Sequence, residues 1–307
     1  MRKYLFWGVV IAVLLVLPPL AMALGKTFYI DLVRRIMIFG IAAVSLNLIL
    51  GYGGMVSFGH AAYLGLGGYA VAIFAFYGIH NGFLQWGVAI VASALVAAAI
   101  GAVSIRTSGI YFIMITLAFT QMLYYLGISI EEYGGDDGIR LKTRSQFPLV
   151  DLADGVQFYY LVVALLVGAI YLTHRIVNSR FGMVLRAVKS NEARSRAIGF
   201  SPYPYRLAAF VIAGAMCGLA GALLANHTNY LTPDFMHWTR SGEIMFMVIL
   251  GGMATGAGPL LGASVFLLLE DVLSGWTEHW QVILGPLLVL SVLFFKRGLA
   301  GLLARHE

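Results

Sequence analysis

Between Arg175 and Arg206 the chain carries seven basic side chains (Arg175, Arg180, Arg186, Lys189, Arg194, Arg196, Arg206) against one acid, Glu192. The sequence on either side is almost wholly apolar. An arginine or lysine at the centre of a membrane helix costs roughly 2.5 to 3.5 kcal/mol on insertion scales, so burying this stretch in lipid would cost on the order of 20 kcal/mol. The stretch must lie in water, and the positive-inside bias assigns it to the cytoplasmic side. Any fold for this chain has to deliver that loop to one face of a membrane and return from it.

The flanks fit. Hydrophobic residues make up 60% of the 307 positions, charged residues 11%, and 36 positions are glycine, with a mean hydropathy of +0.87. This is the composition of a polytopic helical membrane protein. The net charge of +6 follows from basic loops on one face and does not signal nucleic acid as a partner. With Cys217 alone, an intramolecular disulfide is impossible and a cysteine-based metal site is not expected. Neither HExxH nor a phosphate-binding loop occurs; Gly25-Lys26-Thr27 imitates the end of one, but Leu20 stands where the motif needs glycine. Ser57 and His60 lack an evident third residue to orient the histidine. No catalytic residues and no metal site are expected, and the chain reads as a transport subunit rather than an enzyme.

Taken in order, an apolar run over Leu5–Leu24 predicts a first helix, read as uncleaved although Ala21-Met22-Ala23 imitates a signal-peptide site. Spans follow over Ile36–Leu50, from the glycine-rich stretch 51–70 to about Tyr77, and over Leu84–Ser104, Ile110–Ile128, Phe158–Val177, Leu207–His227 and Val282–Phe295. The loop 129–157 is acidic, as suits the external side. Arg34 and Arg35 then fall on that same side, against the charge bias. Ile244–Leu250 is too short to span and stops at GGMATGAGP (251–259); Leu260–Leu269 follows. Two half-length apolar pieces about a Gly/Pro break predict a broken or re-entrant helix pair. The expectation is an all-α polytopic membrane protein of 8–10 transmembrane helices with glycine-rich broken or re-entrant segments, one transmembrane domain over residues 1–307, and both termini cytoplasmic. A weak internal echo, Gly53-Gly54-Met55 with Ser57 against Gly251-Gly252-Met253 with Thr255, leaves a two-repeat origin open.

The basic loop is itself patterned. Phe181, Val184, Leu185 and Val188 recur at i, i+3, i+4 and i+7, with Arg186 and Lys189 on the other side, the period of an amphipathic helix. Ser190 or Asn191 can cap a second short helix with Glu192 in its first turn, and Gly199 can close it before Pro202 and Pro204. A solvated loop that only fixes topology would share this composition. Among groups inside the spans, Asn47, Ser57, His60, Thr116 and Gln121 are candidates to line a path for hydrogen-bonding cargo; helix packing explains each as readily. An ion-coupled secondary transporter or channel for a small polar solute stays open on these residues.

The stretch SRFGMVLRAVKSNEARSRAIGFSPYPYRLAAFVIAGAMCGLAGAL (179–223) resembles the cytoplasmic loop and following helix of permease subunits from branched-chain amino acid ABC importers. LNLILGYGGMVSFGHAAYLGLGGYA (46–70), GGDDGI (134–139), LGGMATGAGPLLGASVFLLLED and QVILGPLLVLSVLFFKRGLAGLL agree with it, in order and over most of the chain. They look most like the M-type permease of the high-affinity branched-chain system. The resemblance implies the permease fold of ABC importers, a coupling loop over 178–205, and import of branched-chain amino acids across the bacterial inner membrane. Related permeases carry urea, amides or aromatic acids. The implied partners are two cytoplasmic ATPase subunits holding ATP and Mg, a second homologous permease, a periplasmic substrate-binding protein and membrane lipid, with no cofactor in this chain. Arg186, Glu192, Ala193 and Gly199 are the implied ATPase-coupling residues. Arg194, Ser195 and Arg196 depart from the small and acidic residues usual after the Glu-Ala pair.

Overall fold

A computed structural model of the chain describes residues 2–23, 25–148, 150–277, 279–294 and 298–304. Helix α1 (Arg2–Ala23) leads by a turn into α2 (Phe28–Asn47), which widens into a π-type turn over Leu48–Tyr52. A non-helical segment, 53–59, separates this from α3 (His60–Phe76). Then come α4 (Gly82–Ser104), α5 (Ile110–Ser129) and, after a long loop, α6 (Gly155–Val177). The short helices α7 (Arg180–Ser190) and α8 (Glu192–Ala197) precede α9 (Pro202–Thr228). Helices α10 (Trp238–Gly251), α11 (Gly258–Ser274), α12 (Trp280–Phe294) and α13 (Gly298–Ala304) complete the chain.

Among the described residues, five helices are long and apolar enough to cross a membrane, α2 with its π-type continuation, α4, α5, α6 and α9, against the eight to ten expected; α3 and the parts Ala12–Ala23 and Trp280–Leu290 are shorter apolar helices. The chain is the all-α polytopic protein its apolar periods predict. Capping side chains start two of the long helices. Asn81 accepts from Phe83 N at 3.1 Å to start α4, and Asp154 accepts from Val156 N at 2.9 Å to start α6.

Helix α9 is the centre of the bundle, packed on α4, α3 and α2. Small residues make that approach close: Gly218 lies against Ser93 and the Ala89 carbonyl of α4, and Gly221 against the Leu64 carbonyl of α3, so a Cβ at either would collide with backbone or side chain. Without a hydrophobic driving force in lipid, such dispersion contacts hold helices together. α10 and α11 form the expected broken pair, an antiparallel hairpin in which Gly262 rests on the Met247 carbonyl and Gly251 on that of Gly258.

At one end of the bundle lie α7 and α8, the turn 105–109 and the loop 252–257. At the other, two-residue strands β1 (Ile139–Arg140) and β2 (Tyr230–Leu231) pair antiparallel, Gly82 N donates to the Gln146 carbonyl at 2.8 Å, and Tyr77 donates to Glu132 at 3.1 Å. Two sequence expectations are corrected here. α2 starts at Phe28 rather than Ile36, so Arg34 and Arg35 are helical residues with partners rather than flanking charges. Arg34 donates to Asp31, to His227 Nδ1 at 3.0 Å and to the Gly155 carbonyl at 3.2 Å, and stacks 4.7 Å from the Phe158 ring; Arg35 pairs with Glu270 at 2.8 Å. Likewise α10 starts at Trp238, placing Arg240 in a helix where it pairs with Glu243 at 2.7 Å. The predicted ends of the first and last helices, Leu24 and Phe295 with Lys296 and Arg297, lie outside the described residues.

Candidate functional site

Segment 53–59 is unwound backbone inside a helical bundle, and unwound peptide groups there must find partners in other elements. They do. Phe58 N donates to Thr116 Oγ1 of α5 at 3.2 Å, and the Phe58 carbonyl accepts from Thr120 Oγ1 at 3.0 Å and from Ser241 Oγ of α10 at 2.7 Å. Ser241 Oγ in turn accepts from Ala61 N at 2.9 Å, Ser57 Oγ accepts from Gly59 N at 3.0 Å, and Cys217 of α9 donates to the His60 carbonyl at 3.3 Å. Side chains of three neighbouring helices therefore hold the break in one conformation. A movement of α5 or α10 has to be felt by it.

The second break is held differently. Thr255 Oγ1 donates to the Gly252 carbonyl at 2.7 Å and accepts from Gly258 N at 3.1 Å, closing the hairpin turn locally. Asn47, fully inside the bundle at the end of α2, reaches across to it: Nδ2 donates to the Thr255 carbonyl at 3.0 Å and Oδ1 accepts from Ala254 N at 2.9 Å. Asn47 thus ties the end of α2, just before the first glycine-rich break, to the second. Gly51, in the π-type turn, has room for no side chain because Asn47 and Ala254 N occupy that space.

The basic loop is connected to the same place. Of the predicted apolar stripe, α7 buries Val184, Leu185 and Val188 and half-buries Phe181, and it leaves Arg186 in solvent. Ser179 caps α7, and Asn191 caps α8 by accepting from Arg194 N at 2.9 Å. Lys189 donates to the Gly51 carbonyl at 2.5 Å, while its aliphatic stem packs on Gly54. A cation there complements the exposed carbonyls at the end of a helix. Contact therefore runs without a gap from Lys189 through Gly51 and Asn47 to the 252–257 turn. Sequence pattern assigned Lys189 only to a solvated face, and the interaction, 138 residues apart in the chain, leaves no local signature.

Glu192 opens α8 and is shared by two guanidinium groups, Arg196 at 2.6 Å and Arg206 at 2.8 Å. Partial burial pushes its carboxyl up, but Arg206 and Arg196 outweigh this and hold it below the ordinary glutamate value. Ala193 and Gly199 are exposed, Gly199 at φ +92° closing α8, and Ile198 and Phe200 beside it expose large apolar side chains. Pro202 and Pro204 lie in the first turn of α9, where proline is tolerated.

Of the five residues chosen from sequence as path candidates, Ser57 and Thr116 bond to the first break and Asn47 to the second. His60 is completely buried behind them, edge-on to Tyr63 with ring centroids 5.7 Å apart, and neither ring nitrogen is hydrogen-bonded among the described residues. Gln121 is half-buried on α5. Ser241, which makes two of the bonds holding the break, carries no signal in the sequence beyond being a serine in an apolar helix.

A bundle of long apolar helices with two breaks, tied at one end to an amphipathic basic loop, defines the chain as a multi-pass membrane protein. The model of the family described as branched-chain amino acid transport system permease component matches residues 28–292, and the chain belongs to that family. It is 27% identical to the high-affinity branched-chain amino acid transport system permease protein LivM of Escherichia coli (strain K12), over 88% of this chain and 69% of the relative. The probable LivM of Methanocaldococcus jannaschii is 26% identical over 83% and 85%, and LivH of E. coli (strain K12) is 21% identical over 86% and 91%. No solved structure matches the chain. Family membership makes it an importer permease subunit; the ion-coupled carrier left open by composition is not favoured.

Proposed function

We propose that this chain is the membrane permease subunit of an ATP-driven importer for branched-chain amino acids or related small polar solutes, residing in a bacterial inner membrane with both termini cytoplasmic. Its whole length acts as one permease domain. The segment 178–205 is the coupling loop: α8 offers Glu192, Ala193 and Gly199, with Arg186 of α7 alongside, to one of two cytoplasmic ATPase subunits that hold ATP and Mg. A second homologous permease completes the path, and a periplasmic binding protein delivers the cargo near the acidic loop 129–157.

The observation that carries this reading is the continuous contact from α7 to both breaks through Lys189, Gly51 and Asn47. Closure of the ATPases pulls on α7, and the hydroxyl-held break 53–59 passes the movement to α5 and α10. Asn47, Ser57, His60, Thr116 and Gln121 lie on or beside the route this movement takes. Two states can interconvert only if ATP and the partners bind them with different affinity. The test is uptake by the assembled complex in vesicles. Glu192→Ala or Lys189→Met should remove ATP-coupled uptake while leaving the permease inserted and assembled; uptake at normal rate would end the proposal. Transport by the chain alone on an ion gradient would favour a secondary carrier instead.

A further inference from the structure

At the loop-bearing end, between the α4–α5 turn and the start of α9, lies a cavity of about 420 Å³ whose walls include Arg106, Thr107, Ser108, Glu192, Arg196 and Arg206. Three guanidinium groups face it and one carboxylate. Glu192 is already paired with Arg196 and Arg206. Arg106 has no side-chain hydrogen bond or ion pair among the described residues, and Arg206 Nε is buried with no partner. A buried donor left without an acceptor is uncommon and asks for an explanation. Ser108 adds a hydroxyl group, while that of Thr107 is donated to the Ser104 carbonyl at 2.7 Å, and the walls are fixed, since Tyr203 donates to the Ala102 carbonyl at 3.1 Å and so ties α9 to α4.

Backbone electrostatics add to the positive charge. α5 begins two residues after Ser108 and α9 begins at Pro202, and no side chain caps either first turn. The uncapped N–H groups at the start of α5 thus lie near the cavity, an arrangement that favours an anion, whereas α9 adds little because Pro202 and Pro204 carry no N–H. The cavity also sits at the ends of spanning helices, next to the exposed apolar side chains of Val103, Ile110 and Tyr111. Basic pockets between membrane helices at the cytoplasmic side suit phospholipid headgroups, because phosphate and acyl chain are satisfied together.

We propose that this cavity binds the phosphate group of an anionic phospholipid, held by Arg106 and Arg206 with the Ser108 hydroxyl, while the acyl chains lie along α4 and α5. Because Arg206 is shared with Glu192, the bound headgroup braces the root of α8 from the bilayer side. The site does not depend on the identity of the cargo or of the ATPase.

The test uses the full-length chain in neutral detergent, titrated separately with phosphatidylglycerol, phosphatidylcholine and inorganic phosphate, with thermal unfolding and native mass spectrometry as readouts. Phosphatidylglycerol should raise the unfolding temperature saturably and remain bound, phosphatidylcholine should not, and Arg106→Gln should weaken the effect about tenfold, as loss of one charge-assisted contact does. Arg106→Glu should abolish it. Arg106 is exposed, so both variants should unfold like the parent in phosphatidylcholine. Arg175→Gln, on α6 and outside the cavity, is the control for general surface charge. Equal weakening by Arg106→Gln and Arg175→Gln, absence of saturation, or full reproduction of the effect by inorganic phosphate would overturn the proposal.

Discussion

The two ends of the bundle use their cations in opposite ways. At the loop-bearing end Arg186, Arg194 and Arg196 are exposed, and the one acid among them serves two arginines. At the other end Arg34 is 3% exposed and bonded to Asp31, His227 and the Gly155 carbonyl, while Arg144 donates to Asn229 at 3.0 Å and to the Leu152 carbonyl at 2.6 Å. A cation inside the bundle is tolerated only with such partners, whereas a cation in water is free to meet another molecule. The loop end is therefore built for contact and the opposite end for rigidity, and substitutions at the two should separate activity from stability.

The largest effect falls at the loop end. Deleting 186–199, or Glu192→Ala alone, should lower ATP-coupled uptake by roughly a hundredfold, the upper range of coupling between two sites, with membrane insertion unchanged on fractionation. Arg34→Met should do the reverse. Removing Arg34 leaves His227 Nδ1 and the Gly155 carbonyl without their donor and should cost about 3 kcal/mol of stability, read by unfolding in detergent, and uptake should fall only with the amount of folded protein. A smaller loss, about 1 to 2 kcal/mol, is expected for Ser241→Ala, which leaves Ala61 N without its acceptor. Thr120→Val should cost less, because the Phe58 carbonyl keeps its Ser241 bond.

The smallest effect sharpens the contrast. Arg196→Gln removes a largely exposed pair and should change stability by less than about 1 kcal/mol, since Arg206 remains on Glu192. The same carboxylate gives a pH signature. Its folded pKa is lowered, so its pairing contributes fully above the ordinary glutamate range and is lost as pH falls through the lowered value. Protection of the α8 amides, taken relative to an unstructured peptide at the same pH, should persist at about pH 5 and fall only at more acid pH, and Arg206→Gln should move that change upward.

The spans, the amphipathic α7, the Asn191 cap and the broken α10–α11 pair were all legible in sequence, because apolar period, capping side chains and Gly/Pro breaks are local signals. The partners of Arg34 and Arg35 were not: His227 and Glu270 lie 193 and 235 residues away, and the same arginines read only as a violation of charge bias. The site was legible in part for the same reason. Asn47, Ser57 and Thr116 stood out as polar groups in apolar runs, but nothing near Lys189 announces Gly51, and nothing near Ser241 announces Phe58. Only the packing of α7, α2, α5 and α10 brings those groups together.

The account turns on whether α8 is gripped by the ATPase. With Cys217 replaced by serine and Ala193→Cys as the sole thiol, cross-linking in membranes carrying the whole complex should join this position to an ATPase subunit, with a yield that changes when ATP is added. A thiol at 193 that never cross-links to that subunit, or that is labelled by an impermeant reagent from the periplasmic side, would contradict it.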